Sequence, residues 1–525
     1  MKRLIIISAF CLSVLGAFAK DTRPNIIVFL TDDQMRNSTG VYGNKQVKTP
    51  NMDKLANNGV IFANNYATTS ICMASRACIM TGMYEYKTGC NFNTFGLSEK
   101  TFSKSYPMIL KDAGYYVGFA GKFGFAVTPE EGGSPTHIKY EQMPVDSFDN
   151  FAGGLNQTDY NTAKNKNIAK YAKEYPHSTR AYGAFCSDFI REAKATGKPF
   201  CLSMSFKAPH KPNSPDPFFD DIYKDVVWEQ PSNFGRENGK HLAPQSRMGR
   251  QYKSLFESFG YEKDYQNTTR QYHQLIYGVD YAIGMILETL EKEGLADNTI
   301  IILTSDNGYN AGSHGFGGKV FAYEEATKTP LIIYNPKAKK ADSIWRNSVT
   351  ANIDLAPTIL DYAGIEIPEN MDGKSLRTVI DSPKAKVRDV LALINVWIND
   401  PTISYSVVSE DYKYIYWANA EKVPATQEFF HISKDRQEMS NEINNPEYKP
   451  ALDDMKAKYA VELDRWKKNS IDAEVYTRFA TIFDQDIDWA DKKALANISA
   501  RTKAGTEAPA ASGRKARKAA NKNKE

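Results

Sequence analysis

Histidine is scarce in this chain, 7 residues in 525. No two of them stand at metal-pair spacing, which counts against a catalytic centre built on two metal ions. Cysteine is sparser still, at 6. One of these, Cys11, falls in the N-terminal apolar stretch, and the odd number left suggests one thiol with a task of its own. The sequence leaves open whether Cys78, Cys90, Cys186 and Cys201 pair or stay free. Beyond the first stretch there is no apolar run long enough for a membrane span, which excludes a helical membrane protein. Internal repeats are absent as well.

What is present at the N-terminus has the order of a secretory leader. Lys2 and Arg3 give the positive start, Leu4 to Leu15 the apolar stretch and Ala17-Phe18-Ala19 a cleavage site. An exported protein, periplasmic or extracellular, is expected, with the mature chain beginning near Lys20. The formal charge is +4, but its distribution matters more. Residues 501–525 hold eight basic side chains against two acidic ones, and Lys2 and Arg3 add to the excess, so the body 20–500 is net acidic at −4. The tail, rich in Ala, Lys and Asn, cannot bury a core and is expected to be a solvated end. Hydrophobic content of 42% and charged content of 24% suit a globular enzyme with a large domain and a smaller one.

Two continuous apolar runs, Asn25 to Leu30 and Thr299 to Leu303, have the texture of strands buried on both faces. Between them Tyr272, Leu275, Ile276, Val279, Ile283, Ile286, Leu287 and Leu290 repeat at helical spacing, with Gly294 as the stop. A third strand is expected at Pro330 to Tyr334 and a helix at Asp354 to Tyr362. Strands alternating with helices predict an α/β sheet covered on both sides, with ligands beyond the carboxyl ends of the strands. From about residue 125 to 260 the periodicity is weak and long loops are expected, their aromatic residues being candidates for stacking on sugars. Past residue 385 the texture changes. A hairpin at Tyr405–Ser409 and Tyr412–Trp417, a short strand at Glu428–Ile432 and a helix carrying Leu452, Met455, Tyr459, Leu463 and Trp466 predict a small α+β subdomain. The expected division is 1–19 leader, 20–385 catalytic domain, 386–490 C-terminal subdomain and 491–525 tail.

Chemistry collects at the strand ends. Asp32-Asp33 follows the first buried strand and Asp306-Asn307-Gly308 the second. Together they offer hard oxygen ligands, which suit Ca²⁺ or Mg²⁺ better than zinc. Cys72-Met73-Ala74-Ser75-Arg76 sets a thiol one helical turn before an arginine. A tyrosine-phosphatase loop would need arginine at position 78, where the chain has Cys78. Further cationic candidates are Lys122 in Ala120-Gly121-Lys122-Phe123-Gly124, His210 in Ala208-Pro209-His210-Lys211-Pro212, and Lys319 in His314-Gly315-Phe316-Gly317-Gly318-Lys319. An anionic ester needs such groups to meet its charge and that of the leaving oxygen.

In this order the segments resemble the sulfatase family, with Cys72 and Arg76 in the pattern C-x-P/A-x-R followed by Thr81-Gly82. The likeness continues through Thr327-Lys328-Thr329-Pro330-Leu331, Asp354 to Pro357, Met371 to Leu376 and Phe429 to Asp435. The resemblance implies an alkaline-phosphatase-like α/β sandwich, a large mostly parallel sheet with helices on both faces, and a short antiparallel sheet in the C-terminal subdomain. It implies Cys72 oxidised to formylglycine by a formylglycine-generating maturation enzyme, one Ca²⁺ (or Mg²⁺) on Asp32, Asp33, Asp306 and Asn307 beside residue 72, and sulfate contacts from Lys122, His210 and Lys319. The implied substrate is a sulfated carbohydrate, with no nucleic-acid partner, while the oligomeric state stays open. One departure stands out. The family's G-K-W-H segment has a histidine two residues after the lysine, whereas this chain has Gly124 there, leaving His314 or His137 as candidates for the proton relay. Two other readings follow: a phosphoester hydrolase of the same superfamily, or an inactive paralogue that binds sulfated glycans.

Overall fold

The computed structural model describes residues 21–496 apart from 93–95, 130–141, 155, 339–343, 398–401 and 421–422. The expected leader and nearly all of the expected tail therefore lie outside the described residues, as does His137. The first residues assigned to the tail, 491–496, continue a helix, Trp489–Ala496. No helix among the described residues is long and apolar enough to cross a membrane.

Eight strands make the main sheet: β1 (Asn25–Thr31), β2 (Val60–Phe62), β3 (Tyr116–Lys122), β4 (Asn150–Gly154), β5 (Phe200–Ser205), β6 (Thr299–Ser305), β7 (Leu331–Tyr334) and β8 (Trp345–Arg346). Their spatial order is β8-β2-β7-β6-β1-β5-β3-β4. The run from β6 to β4 is parallel throughout, and β7 enters antiparallel to β6. Both faces of β1 are buried because successive side chains alternate between two cores. Ile27 and Phe29 pack with the helices α3 (Ser178–Thr196) and α4 (Tyr265–Lys292). Ile26, Val28 and Leu30 pack with α2 (Cys72–Thr81) and α5 (Leu355–Tyr362). This is the covered α/β sandwich that the alternating strands and helices predict.

The segment of weak periodicity in which long loops are expected, 125–260, also holds regular elements. It contributes β4, α3 and β5, and β5 lies at the sheet centre against β1. Strand β5 is hard to recognise because Ser203 and Ser205 interrupt its apolar character. Both serines are buried, Ser203 2.7 Å from the Tyr106 hydroxyl and Ser205 against Arg76. A polar side chain in a doubly covered strand persists when it has a buried partner. From 206 to 250 the chain does run as loop with short 3₁₀ turns.

Beyond the main sheet, β9 (Leu391–Asn395), β10 (Ser404–Val408), β11 (Lys413–Trp417) and β12 (Thr426–Phe430) form an antiparallel sheet. The strand expected at Glu428–Ile432 begins two residues earlier. Helix α6 (Lys449–Asn469) buries Leu452, Met455, Tyr459, Leu463 and Trp466 in the same core as this sheet. Several side chains tie it to the larger domain, the Tyr323 hydroxyl donating to Glu428 among them. Lys413, fully buried, holds Glu324 at 2.7 Å and Glu438 at 2.9 Å, and donates to the Ala322 carbonyl at 2.8 Å.

Candidate active site

Parallel strands deliver their carboxyl ends to one edge of a sheet, and six segments of this chain meet there. Asp32 and Asp33 follow β1, Asp306 and Asn307 follow β6, Lys122 closes β3, and Ser205 closes β5 with His210 in the loop beyond it. Cys72 is the first residue of α2, so it stands at the positive end of that helix, 2% exposed. Arg76 comes one turn later in the same buried helix.

The cations and carboxylates interlock. Lys122 Nζ lies 2.5 Å from Asp32 Oδ2. Arg76 donates from Nε to Asp306 Oδ2 at 2.9 Å, and its Nη2 lies 2.8 Å from the same oxygen and 3.6 Å from Asp32 Oδ2. Its Nη1 donates to the Lys122 carbonyl at 2.8 Å and to Ser205 Oγ, which fixes the guanidinium plane. Lys319 Nζ pairs with Asp33 Oδ1 and is 3.8 Å from Asp32 Oδ1. Asn307 Nδ2 donates to Asp33 Oδ1 at 2.7 Å. Ser75 Oγ donates to the Asp306 carbonyl and accepts from Asn352 Nδ2, which buttresses the strand end from α2.

His210 Nε2 approaches Asp33 Oδ2 at 3.7 Å. Its Nδ1 lies 2.6 Å from the Lys211 carbonyl, so the Nδ1 proton is donated there and Nε2 faces the site. The Tyr160 hydroxyl holds the His210 carbonyl at 2.8 Å. Burial pushes the imidazole below its ordinary pKa despite Asp32 and Asp33. Burial also works to raise Asp32, but Lys122, His210, Arg76 and Lys319 outweigh it and hold this carboxyl well below the usual range. At Asp306, burial and the Asp32 charge win instead and push the carboxyl up. Burial would lower Lys319, yet Asp33 and then the Cys72 thiol, Asp32 and Asp306 raise it.

Two oxygens in this cluster lack a hydrogen-bond donor: Asp32 Oδ1 and Asn307 Oδ1, both in fully buried residues. Buried acceptors normally find a partner. Two such oxygens among three carboxylates make a set of hard donors that fits Ca²⁺ or Mg²⁺. The Asp32, Asp33 and His210 ligand atoms also lie within 4.8 Å of one another.

Gly124 is explained by Arg76. Its φ is +94°, and a Cβ built there would come within 2.6 Å of Arg76 Cδ. The arginine stem occupies the volume that a side chain at 124 would need. Gly124→His is therefore expected to lower stability by about 2 kcal/mol or more, through overpacking and left-handed strain, rather than to supply a base; thermal unfolding with an activity assay checks this. The structure does not bring His314 to the cluster either. Its Nδ1 donates to the Asn238 carbonyl at 2.8 Å and its Nε2 accepts from Asn233 Nδ2 at 3.1 Å. With both ring nitrogens engaged in a fully buried setting, the relay expected of it has no free atom. Ser75, Ser205 and Asn352 were not foreseen. Ser75 alone stands inside a motif the sequence shows, Cys72-Met73-Ala74-Ser75-Arg76, whereas Ser205 ends a strand whose apolar run it breaks.

Residues 24–365 match the Sulfatase family model. The chain belongs to the sulfatase family. Residues 312–465 of this sulfatase also match a second model, N-sulphoglucosamine sulphohydrolase, C-terminal. It is 30% identical over 488 residues to the N-acetylglucosamine-6-O-sulfatase of Bacteroides thetaiotaomicron, covering 81% of this chain and 84% of that one. It is also 30% identical over 393 residues to the human N-acetylglucosamine-6-sulfatase, covering 72% and 68%. A structure solved in complex with its substrate D-glucosamine-2-N,6-O-disulfate superposes with a TM-score of 0.69 at 26% identity, over 86% of this chain and all of that one. The sulfatase is accordingly a sulfuric ester hydrolase.

Proposed function

We propose that this sulfatase is an exported, exo-acting enzyme that removes sulfate from a glucosamine-type sugar of a sulfated glycan, with Cys72 matured to formylglycine and one Ca²⁺ bound. The observation that carries the mechanism is the position of Cys72, at the positive end of α2 and within electrostatic reach of Arg76 and Lys319. The two N-acetylglucosamine-6-sulfatases among the relatives support the sugar class. The lack of a second metal cluster among the described residues favours this reading over a two-metal phosphoesterase.

Asp32, Asp33, Asp306 and Asn307 would hold the cation, which when bound draws charge from a sulfate oxygen. Once oxidised and hydrated, residue 72 would offer one hydroxyl to attack sulfur as the sugar oxygen departs, and a second whose deprotonation re-forms the aldehyde and expels sulfate by breaking its C–O bond. The remaining work belongs to the chain's own side chains. Lys122 and Lys319 bring positive charge to the sulfate oxygens, and Arg76, held on four sides, keeps Asp306 and the β3 end in place. His210 Nε2 donates a proton to the departing sugar oxygen. An incoming sulfate ester favours the protonated imidazole, opposing the effect of burial.

A sugar alkoxide is a poor leaving group, whereas a nitrophenolate leaves readily. His210→Ala is therefore expected to slow desulfation of sulfated saccharides by roughly two to four orders of magnitude while sparing nitrophenyl sulfate. Equal losses on both would assign His210 to sulfate binding. The reading as a whole is tested by a panel of sulfated mono- and oligosaccharides scored for released sulfate. Glucosamine 6-sulfates are expected to be cleaved fastest. Cleavage confined to phosphate esters would overturn the function.

A further inference from the structure

One cavity close to the catalytic edge is not the catalytic pocket. It has a volume of about 570 Å³, and none of Cys72, Lys122, His210 or Lys319 lines it. It lies between the loop that follows Asp33, the N-terminal half of α4, and the segments around Trp228 and Glu325. The two sites share one wall: Tyr272 of α4 donates its hydroxyl proton to the Asp33 carbonyl and accepts from the Met35 amide.

The lining is aromatic and polar at once. The rings brace one another. Trp228 stacks on His273 with centroids 4.5 Å apart, and Tyr309 stacks on Tyr272 at 6.0 Å. Their polar edges are left over. Trp228 Nε1, His273 Nδ1 and Asn233 Oδ1 are buried without a hydrogen-bond partner, in residues 4%, 3% and 0% exposed. Arg36 Nε and Glu325 Oε2 are likewise buried and unmatched. Native proteins rarely leave so many buried polar atoms together without something to bind them.

The mixture of groups tells what would satisfy them. Indole and guanidinium N–H donate, and the amide and carboxylate oxygens accept. An anion would leave the acceptors unmatched and meet the free Glu325 oxygen at close range. The lining carries Arg36, Lys45, Lys328 and Arg436 against Glu229, Glu324 and Glu325, with Lys328 already committed to Glu324 at 2.7 Å, so its charges nearly balance and select neither sign. An apolar ligand would leave every one of these groups unpaired. A ring bearing several hydroxyls answers donors and acceptors alike, and the cavity is within the size range of small-ligand sites. Burial pushes His273 down to about 3, so at neutral pH it adds no charge.

We propose that this cavity is a carbohydrate site separate from the catalytic one, taking an uncharged, unsulfated sugar unit. The site does not depend on the sulfatase chemistry and would persist in a protein unable to turn over.

Ligand-observed NMR on the full chain, with N-acetylglucosamine, glucose, galactose and mannose as probes, tests it. At least one is expected to bind saturably with a millimolar dissociation constant, and excess inorganic sulfate is expected not to displace it. Trp228→Phe keeps the ring and removes its donor, while Glu325→Gln keeps the shape and removes the charge. Each variant, with its fold checked by thermal unfolding, is expected to weaken binding at least tenfold. The proposal falls if none of the probes binds, if sulfate displaces the sugar, or if both variants bind as the parent does.

Discussion

Cys72→Ala is expected to abolish sulfate-ester hydrolysis, with a loss of roughly four orders of magnitude or more, about 5 kcal/mol of barrier, while the protein stays folded. The position explains both halves. Cys72 begins a buried helix whose side chains are enclosed along its whole length. Alanine is at least as good a helix former as cysteine, and the core contacts of Met73, Ala77 and Met80 remain. What disappears is the reacting group. Alanine has nothing to oxidise, and no other nucleophile stands among Arg76, Lys319 and Asp306 to replace it. Mass spectrometry of the peptide around residue 72 separates maturation from catalysis. An aldehyde mass is expected in active preparations, and a thiol mass in protein made without the maturation enzyme. Full activity in the alanine variant would end the idea, as would activity in protein whose Cys72 is wholly unmodified.

Removal of the divalent cation is expected to have the next largest effect. Protein stripped with a chelator should lose activity by about three orders of magnitude, an electrostatic contribution near 4 kcal/mol, and regain it with Ca²⁺. Elemental analysis of active protein should give one Ca²⁺ or Mg²⁺ per chain, and two tightly held zinc ions would contradict the site described above. Asp306→Ala should fail in a different way. Arg76 loses its closest carboxylate and is left as a buried charge in partial company, which costs about 3–5 kcal/mol of stability. Chelation should therefore silence a protein that stays folded, whereas the substitution should also lower its unfolding temperature.

Most of the site was legible because its residues sit where a parallel sheet must put them. Asp32-Asp33 and Asp306-Asn307 each close a strand of unbroken apolar residues, and that texture is hard to mistake. The family resemblance supplied Lys122, His210 and Lys319, which by themselves look like surface charge. What the sequence concealed lay in β5 and α3. Ser203 and Ser205 break the apolar run of β5, and their reason, partners in Tyr106 and Arg76, exists only in three dimensions. His314 shows the converse. It stands in a glycine-rich segment five residues before Lys319, yet its ring turns to Asn233 and Asn238. Proximity in sequence carried no information about the direction of the side chain.

Lys413 limits how far this sulfatase can be taken apart. It belongs to the antiparallel sheet, but its ammonium group sits on Glu324 and the Ala322 carbonyl, in the stretch that directly follows Lys319. A chain cut after residue 385 would leave Glu324 with Lys328 and the Tyr66 hydroxyl as partners, and the stretch after Lys319 would lose the ammonium that holds the Ala322 carbonyl. Exchanging C-terminal parts between relatives would succeed only where the incoming sheet carries a lysine of the same reach. The catalytic edge and the small sheet are in this sense one unit, and Phe316, Phe321 and Tyr323 already lie in the small sheet's core.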